Sequence, residues 1–479
     1  MRFVRFVCLF AMLGTPLAIV FTVVLHAQTY SVLYNFPSQS GDPYSPTQPG
    51  IVAQGRDGNL YSTTLNGGAI GYGTVFKITS AGTLTVLYSF GQTQGGAPNS
   101  GLTLGTDGNF YGTALFFGAY GKGTVFKVTP DGSVTSLHDF FGGDGAYPEA
   151  PPVQGTDGNF YGTTPEGGNC TYNQNGCGTI YKLTPSGTLT LLYVFDFAHG
   201  ANPGGPLLEG TDGSFYGVAG EGGADNDGVI FKITSKGKLT VLHNFDGTHG
   251  SGPVPPLTQG SDGNFYGTTF SGGLYSAGVI YKMAATGRVT VLHEINGTTD
   301  GRYPASGLVR ATDGNFYGTT SQGGANNNCA GSSCGTLFRI SPQGTYLVLY
   351  NFEESTGFGP STTPMQHTSG VLYAMTTKGG TAYCSDPSYC GVFYSFNASL
   401  PAFVSLLPYS GKIGRSIEFL GQGFTGTTGV SFNGTAATFM VVSDNYLKAT
   451  VPSLATTGFV TVATPSGTLT SNKKFRVIP

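Results

Sequence analysis

Four polar residues recur at one point of a repeated loop, and they are the first candidates for chemistry. In the loops that carry Gly-x-x-Pro, the residue before the Gly reads Asp144, His199, His249 and Asp300 in four consecutive copies. Two of these loops also repeat Asp-x-x-His, as Asp196 with His199 and Asp246 with His249. Carboxylate oxygens and imidazole nitrogens suit a divalent cation, and a bound cation could activate water or polarise a substrate carbonyl. Asp144, His199, His249 and Asp300 are therefore the metal-ligand candidates, on the condition that their loops converge. The competing reading is local, with each side chain hydrogen-bonding its own turn. No cofactor is predicted, and a divalent cation is the one these residues could hold.

Cysteines form the second constellation. Beyond the first 27 residues there are six, in the close pairs Cys170/Cys177, Cys329/Cys334 and Cys384/Cys390. All three pairs fall in the same loop of a repeat, and each second Cys directly precedes a Gly. No His accompanies them at zinc-ligand spacing, so three local disulfides in an exported chain are expected. Such small rings hold a loop's shape more than they stabilise a fold, because the closure term grows with loop length. No nucleophile motif, phosphate loop or two-carboxylate pair stands out. His138, His243 and His293 occupy a slot held elsewhere by Tyr34, Tyr88, Tyr193 and Tyr350, which assigns them to packing. Asp225-Asn226-Asp227 is too short for a calcium loop.

Positioning all of these residues falls to a repeat of about 50 residues, a period typical of propellers and solenoids. Its anchor, Asp-Gly-Asn-Phe-Tyr, starts at Asp57, Asp107, Asp157, Asp212, Asp262 and Asp313, and returns in altered form at Ser369. Around it lie four strand-like runs, A to D, exemplified by Leu102–Leu104, Phe110–Thr113, Thr124–Lys127 and Leu84–Tyr88. Asp-Gly between A and B is a hairpin signal, since Gly accepts the positive φ of a tight turn. The 78 Gly and the 10% charged residues also disfavour long helices. Runs B and C occur seven times, the last C run has no D run after it, and a lone D run, Val32–Phe36, stands at the front. The expected fold is all-β: a seven-bladed β-propeller closed by its N-terminal strand, followed by an immunoglobulin-like β-sandwich.

The series Asp-Gly-Asn-Phe-Tyr-Gly-Thr-Thr, Gly-Gly, Gly-Thr-Val-Phe-Lys resembles the GloVer tandem repeat of secreted bacterial proteins, over roughly residues 30 to 397. That resemblance implies an exported protein without an assigned reaction. The tail from Pro401 resembles an IPT/TIG domain, on Pro408-Tyr409-Ser410-Gly411, Gly421-Gln422-Gly423-Phe424 and Val430–Gly434. The expected domains are thus a signal peptide at 1–27, a propeller at 28–400 and an IPT/TIG domain at 401–479. Arg2 and Arg5 before the apolar run Phe6–Leu25, with Ala27 at the cleavage point, carry the signal-peptide reading. The alternative is an uncleaved anchor, the only route to a membrane.

Charge divides along the chain: 14 Lys and Arg against 23 Asp and Glu over 28–400, but 6 against 2 over 401–479. This balance disfavours nucleic acid. The B to C and D to A loops should share one propeller face, and they hold 13 acids against Lys122, Arg302 and Lys378. Long variable loops on a rigid scaffold are where binding usually sits. Phe116, Phe117, Tyr120, Tyr172, Tyr275 and Tyr383 are its aromatic candidates. The favoured function is non-enzymatic binding of a glycan, surface component or protein by a secreted, periplasmic or cell-surface monomer. The alternative is a metal-assisted polysaccharide lyase or hydrolase.

Overall fold

The repeat motif is a side-chain clamp. One carboxylate oxygen of Asp107 accepts the Asn109 backbone N–H at 3.1 Å, and the other accepts the Asn109 amide at 2.7 Å and the Tyr111 hydroxyl at 2.8 Å. Gly108 supplies the left-handed φ of 86° that the turn requires. The Tyr-to-Asp bond recurs at Asp57, Asp157, Asp212, Asp262 and Asp313, at 2.8 to 2.9 Å. Strand C adds a cation to this clamp where Lys232 reaches Asp212 at 2.6 Å.

Each clamped Tyr then serves the next repeat. Tyr111 stacks on Phe160 at 3.8 Å between centroids, Tyr161 on Phe215 at 3.9 Å and Tyr266 on Phe316 at 4.0 Å. The motif therefore makes both a hairpin and an inter-sheet contact, which is why Phe and Tyr recur side by side.

The computed structural model describes residues 28–37, 42–46, 51–170, 174–326, 328–329, 333–381 and 390–478. The expected signal peptide, Tyr172, Tyr383 and Cys384 lie outside them. No described helix is long and apolar enough to cross a membrane. Among the described residues, apart from a single 3-10 turn at Glu354–Thr356, the regular elements are all strands. The repeats form seven antiparallel sheets among the described residues. In one of them, Val153–Gln154, Phe160–Thr164, Thr179–Leu183 and Leu189–Val194 follow in order. Phe160–Thr164 is buried throughout, whereas Leu189–Val194 is partly or fully exposed along its length. Strands B and C are thus covered on both faces by neighbouring sheets, and strand D forms the outer edge.

Apolar clusters join each sheet to the next. Phe140 and Phe160 meet between the second and third, Phe245 and Phe265 between the fourth and fifth, and Phe352 and Phe396 between the sixth and seventh. The last cluster connects the ends: Phe36, Phe393 and Met375 pack on Leu60, Phe76 and Ile78 of the first sheet. Thr29–Asn35 completes the seventh sheet by pairing antiparallel with Val392–Asn397. Tyr30 of this strand stacks on Tyr350 of the sixth sheet at 4.0 Å.

One feature differs from the four-run reading. The Gly-x-x-Pro segments Arg302–Pro304 and Phe358–Pro360, and Pro43–Pro46 at the same place in the first repeat, pair with the far end of strand B as separate short strands. In the fifth sheet this segment is continuous with strand A as Ser251–Gln259. The buried backbone at the end of strand B needs partners, and these segments supply them.

Residues 405–478 form two four-stranded sheets and a parallel pair, Ser410–Lys412 with Arg476–Ile478. Phe419, Phe432, Val460, Val462 and Phe475 lie between the sheets as their core. This module sits on the A to B hairpins of the ring. Arg56 donates to Glu418 at 2.6 Å and covers the Tyr446 ring at 5.0 Å. Asn445 donates to the Asp57 carbonyl at 3.1 Å, Gln422 to the Thr368 hydroxyl at 3.1 Å and Arg476 to the Thr211 carbonyl at 2.6 Å. Leu420 and Tyr446 share an apolar cluster with Ala53 and Leu104 of the first two sheets. These contacts reach hairpins of the first, fourth and seventh sheets, so the module covers the hairpin end of the repeats.

Candidate functional site

The four metal-ligand candidates are not brought together. Asp144 is buried and bonded to His138 Nε2 at 2.6 Å and to the Phe141 N–H at 3.0 Å. Asp300 meets His293 Nε2 at 3.0 Å. His199 and His249 bond to Asp196 and Asp246 in their own turns, both at 2.8 Å. Bonds from His249 hold the Asp246 carboxyl well below its ordinary range. Among the described residues, no group of three or more His, Cys, Asp or Glu side chains is placed to hold a metal. His138 and His293 lie on strand D and hold Asp144 and Asp300 there, whereas His199 and His249 stay in their own turns. The expectation of convergence fails for that reason, and the local reading of these side chains describes the structure.

The described aromatic candidates, Phe116, Phe117, Tyr120 and Tyr275, lie on the long loops. Phe116, Tyr120 and Tyr275 are exposed, and Phe117 packs edge-on against Tyr72 at 4.9 Å. Two further aromatics that sequence reasoning missed, Phe141 and Phe270, are also exposed. Phe270 stacks on Tyr303 at 4.8 Å.

Among the same loops lies a cavity of about 400 Å³. Phe116, Tyr147 and Phe197 form its apolar walls, and Glu149, Glu166 and Glu221 supply its carboxylates. The lining comes from the second, third and fourth repeats. Phe116 meets Tyr147 edge-to-face at 5.7 Å. Lys122 donates to the hydroxyl of the lining Tyr147 at 2.9 Å. The three glutamates were legible only as loop acids. Their shared signal is position, since Glu166 and Glu221 stand two residues beyond the end of strand B and Glu149 follows the Pro of Gly-x-x-Pro.

The backbone here is strained in a repeating way. The residue before the Pro is left-handed in successive repeats, at φ of 56° in Ser45, 54° in Ala97, 54° in Tyr147, 58° in Asn202 and 56° in Tyr303. Non-Gly residues rarely adopt this conformation, and such strain persists only where neighbours enforce it. The enforcing contact is a carbonyl of the preceding repeat: Lys122 for the Tyr147 N–H at 2.8 Å and Cys177 for the Asn202 N–H at 3.0 Å. Cys170–Cys177 and Cys329–Cys334 are disulfides, and Cys390 is disulfide-bonded as well. Cys334 likewise offers its carbonyl to the Gly359 N–H at 3.1 Å. Two of the disulfide loops therefore hold the left-handed residue of the repeat that follows, the strained Asn202 in one case and the unstrained Gly359 in the other, and the first of these loops lines the cavity. Disulfides of this kind fit an oxidising, exported setting.

Burial pushes the Glu149 carboxyl up to about 7, and the nearby Glu166 adds to the push. The unfolded chain releases this proton first, so folding stability should fall as pH rises from about 4.5 to about 7 and level off above that. Glu149→Gln should remove this component. Thermal unfolding midpoints measured across that range for both proteins check it, and an unchanged slope in the variant would reject the assignment.

Among solved structures the chain is similar to a fungal alcohol oxidase of the AA5 family, determined in complex with copper. The identity is 15% and the TM-score 0.50, over 94% of this chain and 100% of that one. It is also similar to a gluconolactonase from Xanthomonas campestris, at 12% identity and a TM-score of 0.39, over 75% of this chain and 99% of that one. The first likeness is one of fold alone, all-β and propeller-like. No curated protein matches the sequence. The model of the Gloeobacter/Verrucomicrobia repeat matches residues 15–209 and 205–439, well over half of the chain, and the protein belongs to that repeat family.

Proposed function

We propose that this is an exported, non-enzymatic binding protein that holds a glycan at the open loop face. In this reading residues 1–27 are a signal peptide, 28–400 a seven-bladed propeller closed by its N-terminal strand, and 401–479 an immunoglobulin-like module of the IPT/TIG type. The supporting observation is the cavity in which aromatic walls and carboxylates occur together. Phe116 and Tyr147 offer apolar ring faces, and Glu166 and Glu221 offer hydroxyl acceptors, the combination that a neutral sugar ring requires. The acidic loop face disfavours uronates and phosphates.

Thermal shifts of the mature protein across a panel of neutral, amino-bearing and acidic oligosaccharides test the reading. Neutral or amino sugars should raise Tm, and Phe116→Ala and Glu166→Gln should each weaken binding about 10-fold, as loss of a central contact does. A panel with no shift, or variants that bind as the parent does, would remove the cavity from the reading. Reduction of Cys170–Cys177 should also weaken binding while circular dichroism shows the sheets intact, because the released loop holds Asn202 at the cavity.

One observation favours a second reading, a polysaccharide hydrolase. The Glu149 carboxyl, raised by burial and by Glu166, shares one cavity with two further glutamates, and a raised carboxyl suits a general acid. Reducing-sugar release from neutral polysaccharides, abolished in Glu149→Gln, would decide for it.

A further inference from the structure

One position of the repeat, taken three times, builds much of the cavity wall. Phe116, Glu166 and Glu221 stand two residues beyond strand B in successive repeats, and each is bridged to the residue after a loop Gly: Gly96, Ala146 and Ala201. The Ala146 N–H donates to the Glu166 carbonyl at 2.9 Å, and the Ala201 N–H to the Glu221 carbonyl at 2.7 Å. Paired backbones thus bring one ring and two carboxylates to equivalent points of neighbouring sheets. The other four repeats hold Asn66, Ser271, Gln322 and Lys378 at this position, so its acids are confined to the cavity. Glu149 adds a third carboxylate from the Gly-x-x-Pro loop.

Among the described residues, none of these three carboxylates makes a side-chain hydrogen bond or an ion pair. Other acids near the same loops are satisfied: Asp139 accepts the Ala119 N–H at 3.1 Å, Glu294 the Leu274 N–H at 3.0 Å, and Asp227 the Ser251 hydroxyl. Lys122 spends its ammonium on the Tyr147 hydroxyl and forms no ion pair with a cavity glutamate.

Carboxylates gathered in a partly buried cavity without a counter-charge are unfavourable, and aromatic faces attract cations. We propose, building on the glycan reading, that the cavity seats an ammonium group and that its ligand is an amino sugar with a free amine. Glu166 and Glu221 accept the N–H bonds, while Phe116, Tyr147 and Phe197 supply ring faces around the charge. Burial and the Glu166 charge push the Glu149 carboxyl up to about 7, and a bound cation favours its ionised form. The ionisable groups around Glu149 are Glu166, Glu221 and Tyr147 of the lining, with Lys122 on Tyr147.

The test is titration calorimetry on the full mature chain with a glucosamine oligomer in one arm and its N-acetylated counterpart in the other. At about pH 6.5, below the usual range of an amino group, the amine form should bind about 10-fold more tightly. Combining Glu149→Gln with Glu221→Gln should cut that preference to about 2-fold, and binding of the acetylated form shows that the cavity is intact. Choline, whose charge does not titrate, should bind more tightly as pH rises from about 6 to about 8, because Glu149 ionises there. Its uncharged tert-butyl analogue should not follow. Equal or weaker binding of the amine form, or a preference that survives in the double variant, would overturn the proposal and leave the glycan reading standing if the acetylated form binds. Heat from neither oligomer would remove both.

Discussion

Replacing Tyr161 with Ala is expected to lower the unfolding free energy by about 4 kcal/mol, whereas Tyr161→Phe should cost only about 1 kcal/mol. Tyr161 is fully buried, its ring stacks on Phe215 of the next repeat at 3.9 Å, and its hydroxyl donates to Asp157 at 2.8 Å. Burial and the Asp157 carboxylate both push the hydroxyl pKa above its ordinary value, so it remains a donor at working pH. Phe keeps the stack, and Asp157 keeps its two bonds from Asn159. Ala loses the stack and opens a void in a close-packed junction, where neighbours relax only in part. Urea unfolding of the three proteins checks this. Equal losses for Phe and Ala would mean that the clamp, rather than the stack, holds adjacent sheets together.

Arg56→Ala should cost about 2 kcal/mol and separate the unfolding of the module from that of the ring. Glu418 is only 11% exposed, and without Arg56 its nearest cation is Lys448 at 3.8 Å. Arg56 also donates to the Thr106 carbonyl at 3.0 Å and covers Tyr446, so its removal loosens two sheets and the module together. Glu418→Gln in the Arg56→Ala background should recover part of the loss, because the stranded charge is then gone. Scanning calorimetry should show one transition for the parent and two for Arg56→Ala. Strictly additive losses in the double variant would show that the pair is not coupled. The module as a whole carries net positive charge and the ring net negative, which favours docking at any distance within the Debye length.

Much of the architecture was legible because its determinants are local. Asp-Gly turns, alternation in strand D and the Phe-Tyr pair each act within a few residues, and seven copies reinforce the reading. The lone Val32–Phe36 run pointed to pairing with the final C run, and Thr29–Asn35 does pair there. The loop aromatics were legible as exposed groups, since Phe116, Tyr120 and Tyr275 had no periodic partner to bury them. Asp144 and Asp300 misled because their equivalent positions in the repeat suggested a shared target. Equivalence in a ring places residues at equal radius, and the bonds to His138 and His293 hold these two at strand D.

The sequence by itself determined the repeat, the strand class, the hairpin clamps and the pairing of cysteines within loops. Each of these rests on contacts between residues close in the chain or repeated along it. Only the tertiary structure decided that Glu149, Glu166 and Glu221 share a cavity with Phe116, and that the module covers the hairpin end through Arg56, Arg310 and Arg476. Those groupings depend on how far each sheet is rotated from the last and on where a separate core comes to rest. The rotation is set by the stacking of whole buried faces, which no spacing between two residues encodes.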